Sequence, residues 1–348
     1  MGKVKLLTFA LVALALLLAG CEREITGTSE TIDNIANVNC FTCHAGYLDA
    51  MQGEWANSVH ASGDNVNYTN RGGGADCTRC HDQQGFIYFL ANGEPTPTAW
   101  EDPAAIGCFT CHNPHQNGNM DLRTDAPFTL LNGDVFDHGA GNLCANCHHS
   151  RLNTNDIVDG ISVSTHWGPH HGPQADMING SNGWEFPGEG YSFGSSPHRT
   201  AVPNVCVHCH MAEENIHDGY KVGGHTWNMM EEETGSNLVS MCQECHSDAD
   251  SYNVDSAQTH IEVLLEELST ELQNAGLFDG TNHPISGPVA DANLAGAMYN
   301  FLMVEEDRSE GVHNFDYARD LLEASIDYVQ NNPPAPTASK PVTVVPSH

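Results

Sequence analysis

Apolar positions fall at helical spacing only toward the C-terminal end of the chain. Ile261, Leu264, Leu265, Leu268 and Leu272 line one face until Gly276 stops the run, which predicts a long amphipathic helix. A second run over 291–306 and a third over 315–329, with Tyr317, Leu321, Leu322 and Ile326, predict two more helices. Together they make a helical segment, 256–330, expected to pack back on the chain before it. Pro333-Pro334-Ala335-Pro336 then opens a tail (331–348) without periodicity, read as disordered. Between 39 and 255 the pattern fails: Gly and Pro are frequent and strand-like alternation is scarce. Gly72-Gly73-Gly74, Asn92-Gly93 and Pro95-Thr96-Pro97 read there as loops between short helices. At the N-terminus, Lys3 and Lys5 precede an apolar run over 6–18, which reads as an export signal (1–20) rather than a membrane-spanning helix.

A stretch as long as 39–255 with so little patterned apolar sequence needs a core from elsewhere, and its cysteines say what supplies it. The chain has 13 cysteines and 21 histidines. One pentapeptide, Cys-x-x-Cys-His, occurs six times: Cys40, Cys43, His44; Cys77, Cys80, His81; Cys108, Cys111, His112; Cys144, Cys147, His148; Cys206, Cys209, His210; and Cys242, Cys245, His246. In an exported protein this is the attachment pattern of c-type haem: two thiols add across the porphyrin vinyl groups and the adjacent imidazole ligates the iron. Zinc knuckles or redox dithiols would use the cysteines but leave a histidine after every second one unexplained. Six covalent haems are therefore expected, their macrocycles standing in for large apolar side chains. No disulfide framework remains. The leftover thiol, Cys21, ends Leu18-Ala19-Gly20-Cys21, which resembles a bacterial lipobox; it would be lipidated and anchor the chain, with 21–38 as tether. Glu22 after it implies sorting to the outer membrane.

Formal net charge is −33, from 45 acidic against 12 basic residues. Nucleic acid is excluded as a partner, and anionic lipid surfaces are unfavourable except through acyl chains.

Each pentapeptide fills one axial position of an iron, so the other six need ligands. His60, in Trp55-Ala56-Asn57-Ser58-Val59-His60, is expected on a helix where an aromatic ring and an imidazole share a face. His115 follows Pro114, which turns it toward a neighbouring porphyrin. His170, His198, His225 and His313 complete the candidates. His149, next to proximal His148, must point away from that iron. His138, His166, His171, His208, His217, His260 and His283 are read as solvent-facing or supporting, and His348 lies on the tail.

Five runs carry a resemblance: Gly168-Pro169-His170-His171-Gly172-Pro173-Gln174-Ala175-Asp176-Met177, Ser196-Pro197-His198, Val205-Cys206-Val207-His208-Cys209-His210-Met211, Gly223-Gly224-His225-Thr226 and Gly311-Val312-His313-Asn314-Phe315. Over 39–329 the chain resembles the multihaem c-type cytochromes of respiratory bacteria. These are relatives of the pentahaem nitrite reductases and hydroxylamine-oxidising cytochromes, and include exported electron carriers of metal-reducing species. The resemblance implies distal ligation by His60, His115, His170, His198, His225 and His313. It implies a mainly α fold with extensive loops, haems forming the core of a 39–255 domain, and a C-terminal helical segment.

Three functions are compatible with these residues. The first is electron transfer through a chain of six bis-histidine haems, in extracytoplasmic respiration or metal reduction. Its partners would be redox proteins or an extracellular acceptor, and the protein would have no substrate site of its own. The second is a haem reductase of a small nitrogen or sulfur oxyanion; the Cys-x-x-Cys-Lys motif typical of nitrite reductases is absent, and cations to draw an anion are few. The third is a subunit of a cytochrome filament or other oligomer.

Overall fold

The computed structural model describes residues 46, 48–62, 66, 74–98, 100, 102–113, 120–188, 190–212 and 221–333. The signal and lipobox with Cys21, the first pentapeptide (Cys40, Cys43, His44), His115, His217 and the tail after 333 lie outside the described residues.

The fold is mainly helical. Short helices come first: α1 (Asp49–Ala56), α2 (Gly74–His81), α3 (Gln83–Asn92), α4 (Cys108–Cys111), α5 (Gly141–Ala145) and α6 (Gln174–Asn179). They continue with α7 (Pro197–Ala201), α8 (Cys206–His210) and α9 (Val239–Gln243). Three long helices follow where periodicity predicts them: α10 (Ala257–Asn274), α11 (Ala292–Asp307) and α12 (Phe315–Asn331). Strands are minimal: β1 (Phe128–Thr129) pairs antiparallel with β2 (Val135–Phe136), and β3 (Ile161–Val163) with β4 (Gly287–Val289). Among the described residues no helix is long and apolar enough to cross a membrane.

Packing divides the chain into two compact units. The first comprises Met1–Pro127, Asp137–Cys147 and Asn204–Met241; the second comprises Phe128–Phe136, His148–Pro203 and Cys242–His348. In the first, apolar clusters are small: Ile87 with Phe109, and Ala212 with Val222 and Leu238. Polar side chains take up much of the interior. Gln84, 1 % exposed, accepts from the Ala104 amide at 2.9 Å and donates to the Asp102 carbonyl at 2.9 Å. At the turn joining α2 to α3, Asp82 caps α3 through the Gly85 amide, and Gly85 sits where a Cβ would lie 2.4 Å from the Thr78 backbone. Gly93 then closes α3 in the left-handed conformation at φ 75°.

The second unit has a conventional core. Ile261, Leu264, Leu268 and Leu272 of α10 pack with Met298, Tyr299, Phe301 and Met303 of α11 and Tyr317, Leu321 and Leu322 of α12. Asp291 caps α11 through the Asn293 amide (2.8 Å), and Asn314 caps α12 through the Tyr317 amide (3.3 Å). The insertion between the fourth and fifth pentapeptides joins this core through Ile157, Val163, Met177 and Phe186. A buried network ties it down: Asp176 accepts from the Ser150 amide at 2.7 Å and from Asn182 at 3.1 Å, and Tyr299 reaches Ser150 Oγ at 2.8 Å.

Candidate functional site

The pentapeptides in the described residues sit at short helices, in which the paired cysteines share a helical turn or, in the fourth and sixth, the turn that follows the helix. The second ends α2, the third is α4, the fourth begins in α5, the fifth is α8 and the sixth begins in α9. Arg123 clamps the third by donating Nε and Nη2 to the Phe109 carbonyl (2.9 and 2.7 Å) and Nη2 to the His112 carbonyl (3.0 Å). Gly141 opens the fourth where a side chain has no room: a Cβ would lie 2.9 Å from the Asn204 carbonyl and 3.4 Å from Cys206 Sγ. Val205, before the fifth, holds φ at 36°, an uncommon and strained value for a β-branched residue.

Sulfurs of different pentapeptides come close in the first unit, Cys144 beside Cys206 and Cys147 beside Cys80, with the Cys147 and Cys80 thiols donating to the Arg79 and Asn146 carbonyls at 3.8 and 3.9 Å. Burial, with the nearby Cys144 and Cys108 sulfurs, pushes Cys111 up to about 12 despite Arg123. The Cys80 sulfur beside it and then burial push Cys147 far upward; the Cys144 sulfur and then burial do the same to Cys206. Such thiols stay protonated near neutrality and are poor nucleophiles or metal ligands, whereas a thioether is neutral and suits the same burial. Among the described residues no group of three or more His, Cys, Asp or Glu side chains is arranged to hold a metal ion.

The imidazoles are arranged differently. In the first unit the rings of His112 and His225 have centres 6.3 Å apart. In the second unit those of His198 and His246 are 6.4 Å apart. With metal–nitrogen bonds of about 2 Å and each ring centre roughly 1.1 Å beyond its nitrogen, two imidazoles on opposite sides of one metal have centres about 6 Å apart. Each of these two pairs joins a pentapeptide histidine to a distal candidate. His313 lies near both His148 and His198, close enough that a charge on it disfavours one on either.

Several of these rings have Nδ1 engaged, as metal-bound histidines do on the side away from the metal. His112 Nδ1 meets the Met120 carbonyl at 2.7 Å, His210 the Trp227 carbonyl at 3.0 Å and His198 the Val312 carbonyl at 3.0 Å. His148 Nδ1 meets Gln174 Oε1 at 3.2 Å, His225 meets Glu54 Oε2 at 3.3 Å and His313 meets Asp307 Oδ1 at 2.7 Å. Burial lowers the pKa of His112 and His198, the carbonyls opposing it, which favours the neutral ring a metal needs. At His313 burial also opposes charging, but the Asp307 carboxylate outweighs it by charge and hydrogen bond, and the net shift is upward. The residues present thus fit six-coordinate haem: paired imidazoles at iron-spanning distance beside half-buried cysteines.

Other candidates are placed as follows. His60 is on a 3-10 turn, Val59–Ala61, because Ser58 ends the run of α1 and caps the turn through the Ala61 amide at 3.2 Å. The aromatic ring it meets is Trp227, at 4.6 Å, rather than Trp55, whose Nε1 donates to the Ile106 carbonyl at 2.8 Å. His170 has φ 69° and a ring 4.7 Å from that of His171. His313 does not cap α12, since Asn314 does. His149 is buried against Phe128 at 4.9 Å with Nδ1 on the Ser150 carbonyl, and His171 reaches Glu306 at 2.7 Å. Glu54, Gln174 and Asp307 were not legible as supports of imidazoles; Gln174 lies four residues after His170 in a run read only for its histidines, and Glu54 and Asp307 have no local signal.

No protein-family model matches the chain, and no curated protein matches it. Its fold resembles the crystal structure of the outer cell wall cytochrome OcwA, with a TM-score of 0.53 and 22% sequence identity, over 80% of this chain and 50% of that one. The chain thus spans about half the length of that cytochrome.

Proposed function

We propose that this protein is an exported hexahaem c-type cytochrome that passes electrons through six bis-histidine haems. The observation that carries the reading is the pairing of His112 with His225 and of His198 with His246 at the separation that one iron between them needs. Haem iron supplies a one-electron couple there. The chain's residues do the rest: twelve cysteines tether the porphyrins, and paired imidazoles close both axial positions so that no substrate enters. Hydrogen bonds to Nδ1 of His112, His148, His198, His210, His225 and His313 fix the orientation of those rings. His148 pairs with His313. The remaining proximal residues, His44, His81 and His210, draw on His60, His115 and His170. The contacts Cys144–Cys206 and Cys147–Cys80 bring attachment points of neighbouring haems together, which favours transfer between them.

Cys21 carries acyl chains that hold the protein at the outer membrane, and its partners are redox proteins or an extracellular acceptor. The name of the structurally similar outer cell wall cytochrome supports an exported role. Relationship to the nitrite reductase and hydroxylamine-oxidising group rests on the motif resemblance. The test combines two measurements on mature protein. Mass spectrometry should find six haems and an acylated N-terminal Cys21, and electron paramagnetic resonance of the oxidised protein should find low-spin iron only. Fewer than six haems, or a high-spin signal from one or more, would overturn the six-coordinate chain.

A further inference from the structure

The candidate ligands differ in what stands behind them. Behind His112, His198, His210 and His148 is a neutral oxygen; behind His313 and His225 is a carboxylate. Asp307 makes the tighter of the two contacts, at 2.7 Å against 3.3 Å for Glu54, whose Oε2 also accepts the His225 amide at 2.9 Å. Its side chain is 1 % exposed. It ends α11, its second oxygen accepts from Ser309 Oγ, and that hydroxyl also accepts the His313 amide at 3.1 Å, so carboxylate and imidazole are locked in one short loop. The same helix end holds Gln174, whose Nε2 donates to the Glu306 and Asp307 carbonyls at 3.1 and 3.4 Å while its Oε1 meets His148. One helix terminus therefore fastens both imidazoles of the fourth centre, one through an amide and the other through a buried anion.

Resting on the reading of His313 as an axial ligand, we propose that Asp307 is a positioning residue that sets the redox potential of the fourth haem below those of the haems whose ligands lean on carbonyl oxygens. An anionic acceptor on Nδ1–H puts more electron density on the ring, and ferric iron, with one positive charge more than ferrous, gains more from it. Burial sharpens the difference because little water screens it. The proton stays within the Nδ1–H···Oδ1 hydrogen bond in both states, so reduction takes up one electron and no proton. The fourth haem is then reduced late and gives up its electron readily, an uphill step in the chain.

The experiment is a spectroelectrochemical titration of the full-length holoprotein, with dithionite as reductant. Asp307→Asn should keep six low-spin haems and move one couple toward ferrous by tenfold or more in its equilibrium constant, about 59 mV for one electron. Asp307→Glu, which keeps the carboxylate, should restore the parent value. Six unmoved couples in Asp307→Asn would overturn the proposal. If that variant does not accumulate as holoprotein, Ser309→Ala decides: relieved of the hydroxyl, the carboxylate should shift the same couple in the opposite direction, and no shift would overturn the proposal equally. His313→Ala separates this from the reading beneath it. Six haems still low-spin in that variant would remove His313 from the ligands; one high-spin haem, with Asp307→Asn potentials unmoved, would keep the ligand and reject the role of Asp307.

Discussion

The two units bury their chain with different materials. In the second, α10, α11 and α12 bring Leu268, Leu272, Met298, Tyr299, Tyr317 and Leu321 to zero exposure in one continuous apolar cluster. The first holds most of the pentapeptide cysteines, but its apolar clusters among the described residues are two small ones, and its interior is lined by Glu54, Thr78, Asp82, Gln84, Thr110, Asn142 and Asn146. Hydrogen bonds contribute about 1 kcal/mol each after exchange with water, far less than burying a large side chain. A unit built mainly from them needs covalent and coordinate bonds to stay folded. On the proposed reading, the contrast makes haem attachment a folding requirement in one unit and a functional addition in the other.

The sharpest way to break that contrast is to make the chain without haem. Hydrogen exchange should then show the first unit's described helices unprotected while 257–274, 292–307 and 315–331 retain protection. Equal loss in both units would show that the apolar core of the second does not stand without porphyrin.

A smaller effect comes from pH. Burial raises Asp176, in the second unit, from the ordinary 3.8 to about 6, against hydrogen bonds from the Ser150 amide and Asn182. Because the folded pKa lies above the unfolded one, its contribution to stability is full below pH 4 and is lost as pH rises through 6, roughly 3 kcal/mol in all. In the first unit Asp82 is raised from 3.8 to about 7, burial again prevailing over its bond to the Gly85 amide, so it acts in the same direction over a window that starts at the same pH and runs on to about 7. Denaturation of Asp176→Asn from pH 4 to 7 should show a shallower slope below pH 6 and the parent slope above it. An unchanged slope would reassign it.

Smallest are the two glycines at close approaches. A Cβ at Gly85 would meet the Thr78 backbone at 2.4 Å, and one at Gly296 would meet the Trp184 ring at 2.1 Å. Gly85→Ala and Gly296→Ala should each cost about 1–3 kcal/mol by overpacking, more than the helix propensity gained. Gly85→Ala, pressing on backbone beside the second pentapeptide, should also perturb the haem spectrum; Gly296→Ala should leave it unchanged. Spectral change in both would mean the ring of Trp184 transmits the strain.

What the sequence determined by itself was local. Helices α10 to α12 follow from the spacing of Ile261, Leu264, Leu268 and Leu272 and of Tyr317, Leu321 and Leu322, because each such stripe has one way to turn inward. The six Cys-x-x-Cys-His pentapeptides are readable because five consecutive residues carry each of them. Tertiary structure alone decided which imidazole faces which. His112 meets His225 and His198 meets His246 across separations no local period encodes, and the His225 ring is held by Glu54, 171 residues away. It also decided that the insertion after the fourth pentapeptide joins the C-terminal helices, through Ile157, Val163, Met177 and Phe186. Asp307 behind His313 is the extreme case: only six residues separate them, yet one acidic residue among 45 Asp and Glu has no pattern until a helix end and a loop bring it to a ring nitrogen.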